Sequence, residues 1–322
     1  MSSEKILRLG VIGLGAMGSE MLDVAARHPE FDVVMAADPS APALDRARAA
    51  HPAVTYVAEP ERLLDDEGLD AVYIASPPAT HAAFAVRAMK TGKAVFAEKP
   101  LAIDLAEGEE MVAVAAETGA VNALNFVLSD RSAALAVARA VRNGGAGTVL
   151  GVEMRFGFPE WPRSFQRDAH WVAGRAQGGF LREVASHYLF LTDRLLGALS
   201  PVHTRVAYGP AGEDTATGLF LAGDVPVRLS GQVAAGPETY EWTLYGSDRS
   251  YRITDWAELW VGESSGWTCV EPDGPRGSEE TRLSEFARAV RGAEHTLADF
   301  AAGLRVQRIV EHFHSAPHAP LA

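Results

Sequence analysis

Three groups of residues in this 322-residue chain have the types and spacing to do chemistry. The first is Gly13-Leu14-Gly15-Ala16-Met17-Gly18, a G-x-G-x-x-G run. In that pattern the first glycine permits a tight turn and the second lets the backbone approach a pyrophosphate. The third lets a helix pack on a strand, and the helix start at Ala16 and Met17 offers N–H groups to phosphate oxygens. Asp38 lies 20 positions beyond Gly18 (38 − 18), at the end of the next apolar run. An acid there accepts from ribose hydroxyls and repels a 2′-phosphate, which predicts NAD, with NADP as the alternative. Its bland rival is a helix cap behind Pro39.

The second group is two turns, Ser76-Pro77-Pro78-Ala79-Thr80-His81 and Glu98-Lys99-Pro100, each following a short apolar run. The third is Gly178-Gly179-Phe180-Leu181-Arg182-Glu183-Val184-Ala185-Ser186-His187, which sets a carboxylate and an imidazole four apart, on one helix face.

These groups need a scaffold, and the apolar periodicity supplies one. Strand candidates at 6–12, 31–37, 54–57, 71–75, 94–97 and 120–124 alternate with helical stretches at 16–27, 41–50, 60–66, 79–91 and 105–118. That rhythm predicts βαβ units and a parallel, doubly wound sheet, an α/β Rossmann domain over 1–124. Both turns of the second group then lie at carboxyl strand ends, where ligands bind. After residue 125 helices at 133–142 and 180–196 give way to strand-like runs at 202–208, 217–221, 225–233, 240–245, 251–254, 258–261 and 267–270. Helices at 281–291 and 297–314 close the chain. This predicts an α+β domain over 125–322 with a large, mostly antiparallel open sheet.

Composition narrows the partners. With 42 acidic against 29 basic residues the formal charge is −13, which disfavours nucleic acid and anionic membrane surfaces. A single cysteine, Cys269, excludes an internal disulfide and any multi-cysteine zinc site, and fits a cytoplasmic location. No secretory h-region and no run of ~18 apolar residues is present, so the chain reads as soluble. No metal site is expected, because the two-apart spacing of His312 and His314 does not converge ligands on a helix.

Taken together, the glycine loop, the Pro-Pro-x-x-His turn, Gly92-Lys93 before the 94–97 run, Glu98-Lys99-Pro100 and the Gly-Gly-x-Leu lead-in to Glu183 and His187 resemble the Gfo/Idh/MocA (glucose–fructose oxidoreductase / inositol dehydrogenase) family. The resemblance covers nearly the whole chain. It implies a nicotinamide-dependent oxidoreductase whose substrate lies between the nicotinamide and the open sheet of the second domain. It implies catalytic roles for Lys99, Glu183 and His187, and places Asn125 at the nicotinamide pocket. With the glycine loop and Asp38, the residues Ser76, Pro77, His81, Glu98 and Lys99 complete the expected cofactor contacts. His81 is weighed evenly between such a contact and simple packing at a helix start. The resemblance also implies a cis Lys99–Pro100 bond. This chain departs from the family pattern at Glu183, where Asp is usual, and at Ala185, where Gly is usual.

The chemistry agrees with those roles. Moving a hydride to or from an alcohol carbon obliges a proton to join or leave its oxygen, and a histidine can supply it near neutral pH. His187 is therefore expected to be the general acid/base, Lys99 its electrostatic partner and proton shuttle, and Glu183 an orienter of the ring or a substrate ligand. The rival readings are a surface Glu183–His187 pair and an ordinary turn lysine. The expected substrate is a sugar, polyol or related cyclic compound with a secondary hydroxyl or ketone. An NAD(P)-sensing regulator without turnover and a glycosidase using NAD transiently are the alternatives. Five arginines between 155 and 182 (Arg155, Arg163, Arg167, Arg175, Arg182) read either as paired surface arginines or as one or two side chains that reach an anionic substrate. Trp242, Trp256, Trp260 and Trp267 suggest core, or a sheet face covered by another subunit; the family resemblance implies the latter, a homo-dimer or homo-tetramer through the C-terminal sheet. Gly262-Glu263-Ser264-Ser265-Gly266 matches a hydrolase elbow only in letters, since a strand rather than a helix is expected to follow.

Overall fold

The computed structural model describes residues 5–166, 170–174, 177–209 and 212–315. Strands β1 (Leu7–Ile12), β2 (Phe31–Ala37), β3 (Thr55–Val57), β4 (Ala71–Ile74), β5 (Ala94–Ala97) and β6 (Asn122–Leu124) alternate with helices α1 (Ala16–Ala25), α2 (Ala41–Ala50), α3 (Pro60–Leu64), α4 (His81–Lys90) and α5 (Leu105–Thr118). The strands pair in parallel in the order β3-β2-β1-β4-β5-β6. Every residue of β4 and β5 is buried, which is why both read as unbroken apolar runs. The strand order reverses between β1 and β4, so the turns after those strands, at Gly13 and Ser76, meet at the topological switch point.

The next stretch begins with α6 (Ser132–Arg142) and β7 (Val149–Phe158), a strand missing from the sequence reading. Two charges and two glycines leave it no continuous apolar run. Only the alternation of buried Val152, Met154, Phe156 and Phe158 with Glu153, Arg155 and Gly157 marks it. The 180–196 stretch, expected as one helix, instead starts as a wide π turn over Leu181–Ala185 before α7 (Ser186–Leu196). Such turns insert a residue into a helix and recur at functional sites. Strands β8 (Leu199–Gly209), β9 (Gly212–Ala222), β10 (Val225–Val233), β11 (Thr239–Gly246), β12 (Ser250–Thr254), β13 (Glu258–Glu263) and β14 (Gly266–Val270) follow. Together with β7 they form an eight-stranded sheet, β14-β13-β12-β11-β7-β10-β9-β8, antiparallel except where β7 meets β10. Glu263 and Gly266 pair across the β13–β14 hairpin, so the G-x-S-x-G letters sit in a simple reversal.

The four tryptophans do not share one face. Trp242 is fully buried and donates through Nε1 to Thr192 Oγ1 on α7, at 2.9 Å. Strand register puts Arg252 opposite Trp260, one residue out of step with the Trp242–Ile253 pair and so on the other face. There Arg252 lies over the Trp267 ring at 4.1 Å.

The chain ends with α8 (Glu279–Val290) and α9 (Phe300–Ser315). Two compact units result. The first runs to Phe126 and takes in Gly277–Leu304; the second holds Val127–Arg276 and the chain from Arg305. The sequence reading leaves 277–304 with the second part. In the structure Leu283, Phe286 and Ala287 of α8 belong to the first unit's core, with Phe286 stacked on Phe31 and Phe96. Among the described residues no helix is long and apolar enough to cross a membrane.

Candidate active site

β1 delivers the chain into the glycine loop, and each glycine has its own reason. Gly13 has φ +91°, and a Cβ there would stand 2.6 Å from the Ala75 backbone after β4. A Cβ on Gly18 would fall 1.8 Å from the Gly13 carbonyl oxygen. Gly15 differs: it heads α1 without a side-chain cap, in ordinary extended geometry, and nothing lies within 4 Å of where its Cβ would be. The open space over Gly15, Ala16 and Met17 at an uncapped helix start fits the pyrophosphate of a dinucleotide. Gly15→Ala is accordingly expected to leave unfolding free energy within ~0.5 kcal/mol of the parent, as at a tolerant surface position. It is expected to weaken NAD(H) binding about tenfold, or ~1.4 kcal/mol, in a fluorescence titration. Unchanged affinity would remove the loop from cofactor binding.

Asp38 braces this loop. Its Oδ2 accepts from the Leu14 amide at 2.7 Å and its Oδ1 from the Ser40 amide at 2.8 Å. A carboxylate has about four acceptor positions, so two remain for ribose hydroxyls.

At the second strand end, Ser76 Oγ bonds Thr80 Oγ1 at 2.6 Å. His81 is 1% exposed; Nε2 lies 2.8 Å from the Ser76 carbonyl oxygen and Nδ1 2.8 Å from that of Pro100. Burial pushes its pKa down, and the neutral ring donates to one of the two carbonyls. The structure thus gives His81 the place of a link between the Ser76 turn and the Lys99–Pro100 turn. The Lys99–Pro100 bond is cis.

Glu98, Lys99 and Pro100 follow β5. Glu98 is buried, and its Oε1 accepts from the Tyr73 hydroxyl and, at 2.7 Å, from Asn125 Nδ2. Asn125, 3% exposed, also reaches Glu279 Oε2 at 3.1 Å and accepts from Arg282 Nε at 2.7 Å, while Arg282 pairs with Glu279. Burial, then the neighbouring Glu279, pushes the Glu98 pKa up. Asn125 is therefore engaged in a buried network that secures the Glu98 turn. Nothing in the sequence pattern singles out Tyr73, Glu279 or Arg282. The Ser278–Thr281 capping box marks where α8 begins, but a Glu and an Arg three apart look like a surface pair.

In the second unit, Gly179 adopts φ +97°, and its missing Cβ leaves room for the Glu213 carboxylate, which would otherwise lie 2.2 Å away. Glu213 Oε2 accepts from the Leu181 amide at 2.9 Å, capping the π turn from β9. Glu183 Oε2 accepts from Gln166 Nε2 at 3.0 Å, and Gln166 in turn receives Arg163 Nε at 2.9 Å. His187 Nδ1 accepts from the Val127 amide at 3.1 Å, and Trp256 meets the ring edge-on with centroids 5.4 Å apart. Trp256 holds φ +68°. A bulky residue in the left-handed region costs about 1–3 kcal/mol and tends to mark a functional site.

Glu213 brings a pH dependence. Burial raises its pKa to about 7, against the opposing effects of the Leu181 amide and Arg182. A carboxyl raised on folding binds its proton more tightly in the native state, so its contribution is complete below pH ~4.5 and lost as pH rises through about 7. Glu213→Gln keeps an acceptor for Leu181 without the titration. The stability of the parent relative to this variant is expected to fall by up to ~1.4 kcal/mol per pH unit across that window in urea unfolding. A flat difference would show that Glu213 ionises normally.

The arginine cluster divides. Arg182 is buried against Glu311 at 2.7 Å, and Arg163 lies over the exposed Phe165 ring at 4.7 Å. Arg155 approaches Glu241 at 4.0 Å on the sheet. Arg167 and Arg175 lie outside the described residues.

Comparisons with known proteins bear on this site. Residues 7–126 match the GFO_IDH_MocA model, an oxidoreductase family with an NAD-binding Rossmann fold, and 134–252 match the GFO/IDH/MocA C-terminal domain. The chain is 31% identical, over 98% of its length and 96% of the relative's, to a dTDP-3,4-didehydro-2,6-dideoxy-alpha-D-glucose 3-reductase of Streptomyces violaceoruber. It is 28% identical to a scyllo-inositol 2-dehydrogenase (NAD(+)) of Bacillus subtilis, over 61% of this chain and 55% of that one. A solved NAD-binding oxidoreductase from Klebsiella pneumoniae shares the fold at TM-score 0.84 and 20% identity, over 96% of both chains.

Proposed function

Because the chain belongs to the Gfo/Idh/MocA family of NAD(P)-dependent oxidoreductases that act on sugar- and inositol-like substrates, we propose that it moves a hydride between the nicotinamide and a ring carbon bearing a secondary hydroxyl or ketone. A nucleotide-linked ketosugar is the first candidate, on the strength of the full-length similarity to the Streptomyces reductase. Lys99, Glu183 and His187 carry the chemistry in this reading. The observation behind it is how Lys99 is held. Tyr73 and Asn125 bind Glu98 before it, His81 binds Pro100 after it, and the lysine itself is half-buried. A flexible side chain on a backbone fixed at both flanks is how a proton donor is presented to one oxygen.

The bound dinucleotide would supply or receive the hydride, with its pyrophosphate at Gly13, Gly15 and Gly18 and its adenosine ribose at Asp38. Lys99 stabilises charge on the substrate oxygen. Glu183, steadied by Gln166, binds a neighbouring hydroxyl, and Arg163 suits an anionic substituent. Asp38 favours NAD over NADP. This reading includes self-association through the second sheet.

The test follows NADH absorbance with a panel of inositols, sugars, sugar acids and nucleotide-linked ketosugars. Turnover with NAD(H) exceeding that with NADP(H) is expected. Tight cofactor binding with no turnover on any of them would overturn the reading.

A further inference from the structure

We propose that the Trp256 indole is a recognition surface for a saturated six-membered ring, whose C–H face rests on it while the reacting oxygen meets His187. The inference rests on the function proposed above and deepens it: the substrate is recognised as a closed ring, not only by its hydroxyls.

Thr254, Asp255, Trp256 and Ala257 reverse the chain between β12 and β13, where Thr254 still pairs with Glu258. The Ala257 amide closes the turn on the Thr254 carbonyl at 3.1 Å, and the Asp255 amide ties it to the Tyr240 carbonyl of β11, also at 3.1 Å. Asp255 and Trp256 have φ +46° and +68°, and among the described residues they are the two non-glycine residues with positive φ. Two left-handed residues in succession make the tight hairpin reversal that Asn-Gly or Asp-Gly ordinarily fills. Aspartate suits its place there. Tryptophan stands where glycine would be free of strain, so the turn is not what calls for it.

Packing does not call for it either. The indole meets His187 at nearly a right angle with centroids 5.4 Å apart, and Tyr188 and Tyr240 at 5.1 Å each. Those three neighbours are buried, whereas Trp256 is half-buried and keeps part of its side chain open. Trp161, Trp242 and Trp260 each give their indole N–H to a protein oxygen. Among the described residues Trp256 gives its own to none. A strained backbone thus holds a partly open aromatic ring, with its donor unspent, against the histidine expected to handle the substrate's proton.

A saturated ring with hydroxyls at its rim shows C–H bonds on its faces. Their partial positive charge suits the negative face of an indole, and laying one on the other removes apolar surface from water. The polar rim has partners close by. Arg163 donates from Nη1 to the Tyr240 hydroxyl at 3.3 Å, and Gln166 bridges Arg163 and Glu183. Tyr240 therefore joins the aromatic floor to the polar side chains. An open-chain polyol has no lasting face to offer and must freeze several torsions to imitate one.

The indole itself reports the contact. Its Nε1 proton–nitrogen signal, assigned as the one lost in Trp256→Phe, should move when myo-inositol, methyl α-glucoside or dTDP-glucose is added to the protein with NADH present. It should stay in place with sorbitol, an open chain with as many hydroxyls as inositol, and with dTDP, which lacks the six-membered ring. No movement with any of the three rings, or equal movement with sorbitol or dTDP, overturns the proposal. With a ring substrate that turns over, Trp256→Gly, which fits the left-handed backbone, should raise KM about tenfold and leave kcat within about threefold. Trp256→Phe should recover most of that loss. A fall in kcat at unchanged KM would make Trp256 a support for His187 and overturn the proposal as well. Turnover with the indole signal unmoved would sink this inference alone, and a moving signal without turnover on any substrate would sink the proposed function alone.

Discussion

Lys99→Met is expected to lower kcat about a thousandfold, within the ~10²–10⁴ that a positioned proton donor contributes. Cofactor affinity should fall far less than kcat, because in the proposed reading the pyrophosphate is held by backbone groups around Gly13 to Gly18. Methionine matches the lysine stem in length and bulk, so Tyr73, Glu98, Asn125 and His81 keep their partners and the turn survives. Lys99→Arg separates charge from proton transfer. A guanidinium keeps the positive charge but does not release a proton at any working pH. If Lys99 only stabilises charge, arginine should restore most of the rate. If it delivers the proton, arginine should stay about a hundredfold down. A methionine variant retaining more than a tenth of the parent kcat would sink the assignment.

Arg282→Met is expected to cost on the order of 3–5 kcal/mol in urea unfolding, the usual result of removing one partner from a buried ion pair. Arg282 is 1% exposed and lies between Asn125 and Glu279. Its charge also offsets Glu20, whose pKa is raised by burial and then by Glu279. Without the guanidinium, Glu20 and Glu98 each still feel the Glu279 carboxylate, which has lost its paired cation. The sign with pH follows from Glu20, whose pKa is raised by burial and then by Glu279, and held down by Arg282. A raised carboxyl gives up stability as pH climbs through its folded value, and losing Arg282 raises it further. The deficit should therefore be larger at pH 8 than at pH 5. Equal deficits at both values would mean that the lost contacts, rather than the uncompensated charge, explain the cost.

Much of the first unit can be read from letters alone, because its signals are local. Gly13, Gly15 and Gly18 state their turn in six residues, and the continuous apolar runs of β4 and β5 announce strands buried on both sides. What stays hidden is decided across long stretches of chain. Asn125 and Arg282 meet over 157 positions, and His187 and Val127 over 60. In the second case the donor is a backbone amide, which every residue but proline carries, so no side-chain pattern could signal it. Gly179 shows that something comes close, but not that the visitor is Glu213. The sequence reading starts a strand only at 217, which leaves that acid looking like part of a turn. Spacing singles out Asp38 as a ribose ligand, and what the structure shows of it is a brace for the Leu14 and Ser40 amides.

The interrupted make-up of the first unit also governs the order in which the molecule can be completed. By the time the ribosome has translated Phe126, all six strands of the first sheet exist, yet Phe31 and Phe96 still lack the Phe286 ring and Asn125 still lacks Arg282. Those partners emerge only after the whole of Val127–Arg276 has been made. A nascent chain must carry an open apolar patch and an Asn125 side chain without its Arg282 donor for that interval. A fragment cut at the end of the sheet would keep both permanently, so expressing the nucleotide-binding part alone calls for grafting 277–304 back onto it.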